Sequence, residues 1–327
     1  GCGADDRGYG MGVTVGDYNG DGLTDLYVTN VGPNVLLRNL GEGKFEDVTD
    51  EAGVGVDGWS ASAAFVDFDL DGDLDLFVTN YLNWTVDGEV ECFDTAGRLN
   101  YCGPATYDTP AGDVLYRNLG DGRFEDATAE TGLSVAFGTG LGVAIADIDQ
   151  NGWPDIFVAN DNMLDQLWLN QGDGTFRDEA VFRGCAADAT GQPKAGMGVG
   201  VVDVDDDGDL DLLVCNLGGQ TDSLFLNQGD YFVDSTGATG LAALSRPMTR
   251  FGLGWVDFDN DGLLDIYQAT GAITTAGRIY DKTDTYAQPN LLFQGLPGPR
   301  YREVLPRGGT EKLLIAASRA AAFGDVD

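Results

Sequence analysis

Short apolar runs return along this chain, and each is entered through a cluster of acids and glycines. The runs LYVTN at 26–30, LFVTN at 76–80, IFVAN at 156–160, LLVCN at 212–216 and IYQAT at 266–270 are rich in β-branched and aromatic residues. Their length suits a strand and is too short for a helix. Immediately before them stand DYNGDGLTD (17–25), DFDLDGDLD (67–75), DIDQNGWPD (147–155), DVDDDGDLD (203–211) and DFDNDGLLD (257–265). A second motif follows each run: LLRNLGEGKFEDVT at 36–49, LYRNLGDGRF at 115–124 and LWLNQGDGTF at 167–176, with weaker echoes in LFLN at 224–227 and LLFQ at 291–294. Its Asn-x-Gly-x-Gly core places glycines, which reach positive φ, between two strand-like runs, as a hairpin requires. Ahead of each acidic loop lies a stretch of small residues, such as GMGVTVG at 10–16, SASAA at 60–64, GTGLGVA at 138–144 and GMGVG at 196–200.

Each unit is therefore expected to hold four short strands, in the first unit at about 11–17, 25–30, 35–39 and 44–49. Four strands repeated at roughly 40–50 residues are the pattern of propeller blades. The fold class expected is all-β, a β-propeller of four-stranded blades forming a single domain over 1–327. The units run at about 10–56, 57–133, 134–190, 191–245 and 246–312, with a partial sixth at 313–327, where AFGDVD (322–327) repeats a loop opening. An insertion at 81–112 lengthens the second unit, and an extra segment at about 271–289 lengthens the fifth. Small first strands suit the crowding near a propeller axis, where bulkier side chains do not fit.

Composition narrows the function. The chain has 327 residues, 43% of them hydrophobic, which opposes disorder. It carries 54 Asp and Glu against 18 Lys and Arg, a formal charge of −36. Such a chain lacks the basic surface that nucleic acid demands, so no nucleic-acid partner is expected. No apolar run approaches the roughly 20 residues of a membrane-spanning helix, and no signal peptide is present in this sequence. Histidine is absent, which excludes Ser-His-Asp and Cys-His catalysis and any His-ligated metal within the chain. There are five cysteines and no CxxC pair. Cys92 and Cys102 are expected to form a disulfide. Cys185 and Cys215 are open between a second disulfide and buried thiols, and Cys2 is left over. Disulfides fit an oxidising compartment, so the chain is expected to be secreted or displayed at a cell surface.

The acidic loops carry the chemistry. Ca²⁺ takes six to eight oxygen ligands in a flexible cage. Positions 1, 3, 5 and 9 of each loop supply Asp17, Asn19, Asp21 and Asp25; Asp67, Asp69, Asp71 and Asp75; Asp147, Asp149, Asn151 and Asp155; Asp203, Asp205, Asp207 and Asp211; and Asp257, Asp259, Asp261 and Asp265. Position 7 adds a backbone carbonyl, and the glycine at position 6 permits the sharp turn. The EF-hand alternative fails. Position 12 holds Val28, Val78, Val158, Val214 and Gln268 where a bidentate Glu is needed, and the flanks lack amphipathic helices. About five structural Ca²⁺ sites are expected.

In these motifs the chain resembles the FG-GAP/VCBS repeat family of integrin α-like propellers and the cartilage acidic protein group with its bacterial relatives. Further matching stretches are YCGP at 101–104, AGMGV at 195–199, Phe251-Gly252, QPNLLF at 288–293 and Ser318-Arg319 before AFGD. The resemblance implies a seven-bladed, Ca²⁺-stabilised, extracellular propeller whose calcium ligands are the loop residues named above. The chain holds five complete units and the first strand of a sixth. The expected function is a binding or adhesion scaffold for a protein or glycan ligand, with the insertion at 81–112 as the recognition element. Asn83-Trp84-Thr85 within it is a glycosylation sequon. The alternative is a structural subunit assembling with copies of itself into a filament or surface layer, since an open blade edge invites strand addition. A catalytic domain ranks third, and no enzyme is expected.

Overall fold

The structure, a computed structural model, describes residues 2–4, 6–94, 97–274 and 278–324. Asp325 and Asp327, read above as the start of a sixth loop, lie outside them. Each of the five complete repeat units contributes four antiparallel strands paired in chain order; the third to fifth form separate four-stranded sheets, and the first two join in one eight-stranded sheet. The first blade is Tyr9–Gly16, Asp25–Pro33, Val35–Asn39 and Phe45–Asp47. The second is Asp57–Val66, Asp75–Asn80, Val114–Asn118 and Phe124–Asp126, and the third Gly140–Ala146, Asp155–Asn160, Gln166–Asn170 and Phe176–Asp178. The fourth is Gly196–Val202, Asp211–Asn216, Ser223–Asn227 and Phe232–Asp234, and the fifth Arg250–Val256, Asp265–Thr270, Leu291–Leu296 and Arg300–Glu303. The fold class is the all-β, propeller-type architecture that the repeats predict.

The chain divides into two compact units. One comprises Gly1–Glu89 and Pro104–Ala180; the other comprises Val90–Gly103 and Val181–Asp327. In the first, the second strand of blade one continues into the first strand of blade two, pairing Val31 with Trp59 and Pro33 with Asp57. The apolar core lies between consecutive blades. Tyr27, Leu36 and Val54 of blade one meet Leu76, Val78 and Phe124 of blade two, and Phe77 and Leu115 meet Ile156, Val158 and Trp168 of blade three. In the second unit Leu213 and Leu224 meet Ile266, Leu291 and Phe293. Burying such side chains contributes roughly 1.5–3 kcal/mol each.

The small first strands are required by close approach. A Cβ on Gly12 would stand 2.6 Å from the Ala61 carbonyl oxygen of the next blade. In the second unit a Cβ on Gly198 would overlap the Phe251 carbonyl, and one on Gly254 the Phe323 ring. Every first strand also carries an irregularity near its start, between Gly10 and Gly12, Ser60 and Ser62, Gly140 and Gly142, Gly196 and Val199, and Arg250 and Leu253. Such bulges bend the strand and strengthen its twist.

The disulfide expectations divide. Cys92 and Cys102 are bridged. Cys185 and Cys215 are not, and both are buried thiols. Cys215 sits inside a strand with every residue buried, where its sulfur accepts a hydrogen bond from Gln268 Nε2 at 3.3 Å. Proximity of two repeats in sequence therefore did not translate into facing Cβ atoms.

Candidate functional site

The acidic loops connect the first and second strands of every blade. Their local form follows from the Asp and Gly pattern. The position-1 carboxylate accepts the N–H of the position-6 glycine at 2.8–3.1 Å in all five loops: Asp17 from Gly22, Asp67 from Gly72, Asp147 from Gly152, Asp203 from Gly208 and Asp257 from Gly262. The position-5 side chain accepts the N–H two residues on, as Asp71 does from Asp73 and Asn151 from Trp153. These bonds wind the loop so that the remaining oxygens converge.

Among the described residues, carboxylate oxygens come within 4.8 Å of one another in four clusters: Asp67, Asp69 and Asp71; Asp147, Asp149 and Asp155; Asp203, Asp205 and Asp211; and Asp257, Asp259 and Asp265. The first loop, in which Asn19 replaces the third-position acid, is not among them. Asn151, Asp207 and Asp261 stand at the rim of their loops, bonded to backbone N–H groups.

The position-9 acids have a second task that spacing alone does not reveal. Asp75 accepts Phe68 N–H at 3.0 Å and Asn118 N–H at 2.8 Å, so it ties the loop to the third strand. Asp155 does the same with Ile148 and Asn170, Asp211 with Val204 and Asn227, and Asp265 with Phe258 and Gly295. In the fifth blade the structure corrects the register of the motif. Gly295, not Gln294, takes the asparagine's place, because a Cβ there would meet the Leu264 carbonyl oxygen at 2.6 Å. In the first unit the asparagines also link blades: Asn118 Nδ2 donates to Tyr18 O and Asn170 Nδ2 to Phe68 O, both at 2.8 Å.

The electrostatics favour a cation. Burial pushes Asp75 up to about 7 and Asp155 and Asp211 up to about 6, against the opposing backbone hydrogen bonds. Neighbouring loop acids push Asp75 and Asp211 further in the same direction. Among the described residues, one buried carboxylate oxygen in each of loops one to four, Asp25 Oδ2, Asp69 Oδ1, Asp147 Oδ1 and Asp205 Oδ1, has no hydrogen-bond partner. Unpartnered buried anionic oxygens are costly, and a hard divalent ion would satisfy them. The donor set of carboxylates and amide oxygens fits Ca²⁺. Loop two differs from the rest. Arg117 Nε lies 3.2 Å from Asp69 Oδ2 and its guanidinium stacks 5.2 Å from the Phe68 ring centroid, so a built-in cation already engages one of its acids.

The two insertions leave from the other end of the blades, after the second strand. Asn83 is exposed, and its Nδ2 donates to Pro110 O at 2.8 Å. Within the second unit, the disulfide-tied stretch places Tyr101 against Tyr286 of the 271–289 segment, with ring centroids 6.1 Å apart.

A profile described as FG-GAP-like repeat matches residues 5–78, 101–158, 147–214 and 203–267, more than half of the chain. The chain belongs to the FG-GAP-like repeat family. It is 26% identical, over an alignment 362 positions long, to cartilage acidic protein 1 of Xenopus tropicalis, covering 93% of this chain and 53% of that protein. It is 28% identical to cartilage acidic protein 1 of Homo sapiens, covering 80% of this chain and 38% of that protein. The chain thus spans about half, or less, of the length of the curated relatives it matches. The solved structure of BBS1N in complex with ARL6DN aligns with 89% of this chain and 77% of that one, at 10% identity and a TM-score of 0.44.

A further recurrent site escaped the sequence reading. At the start of each third strand a side-chain oxygen accepts the N–H at the end of the second strand: Asn34 from Asn30, Asp113 from Asn80, Asp165 from Asn160, Asp222 from Asn216 and Asn290 from Thr270. Its identity follows a neighbour. Where the second strand offers a tyrosine hydroxyl, as Tyr27 and Tyr267 do, the residue is Asn and donates to it. The corresponding second-strand residues of blades two, three and four are Phe77, Phe157 and Leu213, and there the residue is Asp. That pairing was the available signal.

Proposed function

We propose that this chain is a calcium-stabilised extracellular binding scaffold and not an enzyme. The observation that carries the calcium reading is the set of four carboxylate clusters, three of which hold a buried oxygen without a hydrogen-bond partner among the described residues. Family membership supports the scaffold role. The Cys92–Cys102 bridge and relatives named for cartilage support an extracellular placement, where calcium is abundant enough for loops of modest affinity. The acids are engaged in winding and clipping the loops, and the chain contains no histidine to serve as a base, which supports a non-catalytic role. Recognition is assigned to the insertion end of the blades, with a protein or glycan as partner.

If each loop binds with a Kd near 0.1 mM in about 1 mM calcium, each contributes about 1.4 kcal/mol. Thermal melting with calcium and with EGTA tests this. Calcium should raise Tm by several degrees, and an unchanged Tm on chelation would sink the calcium reading. For the scaffold reading, the full chain is applied to immobilised glycans and matrix proteins beside an unrelated protein of equal charge. Retention no better than that control would refute it.

A further inference from the structure

In the second unit a cavity of about 600 Å³ opens at the insertion end of blades four and five. Its walls come from the loop after the second strand of blade four, the approach to the first strand of blade five, and residues 272–274, 278, 280 and 288 after the second strand of blade five. Arg246, Arg278, Tyr280, Gln288 and Thr249 line it. Its volume is that of a small-ligand site.

The charge of this cavity is unusual for the chain. Acids outnumber bases 54 to 18, and several arginines are claimed by a nearby carboxylate, such as Arg38 by Glu46, Arg123 by Asp121 and Arg307 by Glu303. Arg246 and Arg278 have no carboxylate partner among the described residues. Arg246 Nε donates to Gly219 O at 2.9 Å, and Arg278 lies 4.8 Å from the Tyr280 ring centroid. A third guanidinium, Arg319, braces the wall by donating to Ala272 O at 3.0 Å. Nearby acids are engaged: Asp222 is paired with Arg250, Asp281 accepts from Thr283, and Asp284 accepts from Tyr286 N–H. The acidic loops of blades four and five lie at the far end of six-residue strands, about 20 Å away. That exceeds the roughly 8 Å Debye length, so their repulsion is screened.

We propose that this cavity binds a carboxylate-bearing saccharide, that is, a sugar of the uronic acid class. Guanidiniums recognise a carboxylate through charge-assisted paired hydrogen bonds. The sugar's hydroxyls find the amide of Gln288, whose Oε1 is held by Thr249 N–H at 3.0 Å and whose NH₂ remains a donor. Tyr280 supplies an aromatic ring in the cavity wall against which the apolar C–H face of the sugar can pack. The proposal rests on the scaffold reading and names the ligand class of that scaffold.

Calorimetric titration of the full chain at constant calcium tests it, with trigalacturonate, neutral galactotriose and inorganic phosphate as probes. Trigalacturonate should bind saturably and galactotriose at least about tenfold more weakly. Arg246→Gln and Arg278→Gln should each weaken trigalacturonate about tenfold, with melting curves unchanged. Arg300→Gln removes the same charge outside the cavity and should bind as wild type does. Equal binding of galactotriose, undiminished binding in both cavity variants, equal loss in Arg300→Gln, or displacement of trigalacturonate by equimolar phosphate overturns the proposal. Loss of this ligand with retention on other immobilised partners separates its failure from that of the scaffold reading.

Discussion

Replacing Asp222 with Ala should strongly destabilise the fourth and fifth blades. Asp222 and Arg250 are both fully buried and paired at 2.7 Å. Asp222 Oδ1 also accepts Arg250 Nε at 2.8 Å, and Oδ2 accepts Gln268 Nε2 at 2.8 Å. The guanidinium in turn donates to the carbonyls of Met248 and Gln220, the second of which belongs to the loop beside the proposed saccharide cavity. Truncation leaves an uncompensated buried cation, which costs roughly 3–5 kcal/mol. At roughly 2–4 °C per kcal/mol for 150–250 residues, Tm should fall by about 6–20 °C. Urea and thermal unfolding followed by circular dichroism measure this. The double replacement Asp222→Leu with Arg250→Met removes both charges and should recover most of the loss, because an apolar pair avoids desolvation. A loss below about 1 kcal/mol for Asp222→Ala, or no recovery in the double variant, would refute the reasoning.

Three further outcomes follow from single sites. Asp113 holds the equivalent position, where among the described residues it accepts from Asn80 N–H alone, and burial pushes it up to about 7. Its raised value means that it favours the folded state below about pH 4 and that this contribution is lost as pH rises through 7. Asp113→Asn should therefore gain stability relative to wild type between pH 5 and pH 8, read as the difference in Tm; a constant difference contradicts this. Arg117→Leu removes the cation beside Asp69 and should tighten the loop-two calcium site by about tenfold in a calcium titration, whereas unchanged affinity denies that the arginine competes for Asp69. Alkylation in denaturant without reductant should label Cys2, Cys185 and Cys215 and spare Cys92 and Cys102, and a mass with a single thiol modified would restore the second bridge.

Much of the architecture is local and was legible before folding was considered. Alternating apolar runs, Asn-x-Gly-x-Gly hairpins and the Asp loops depend on neighbours within a dozen residues, so their positions match the observed strands closely. The 92–102 bridge is legible for the same reason, since both cysteines close one short excursion. The contacts that reach further, across a blade or from one blade to the next, were not. The sequence offers Asp75 and Asp155 as candidate ligands, while the hydrogen bonds that tie them to the third strand come from Asn118 and Asn170, 43 and 15 residues on. It shows Gly12 and Gly198 as small, and only packing against the next blade shows why.

What the sequence by itself determined, then, is the repeat, its four strands and the acidic loops, because each is set by backbone chemistry acting over short distances. Tertiary structure alone decided which acids converge, that Cys215 meets Gln268 and not Cys185, and that Arg250 neutralises Asp222. It also decided that Arg246 and Arg278 share a cavity. These outcomes depend on how blades stack. Stacking is driven by non-directional burial of apolar faces, and the polar side chains that it brings together are not written into any one repeat.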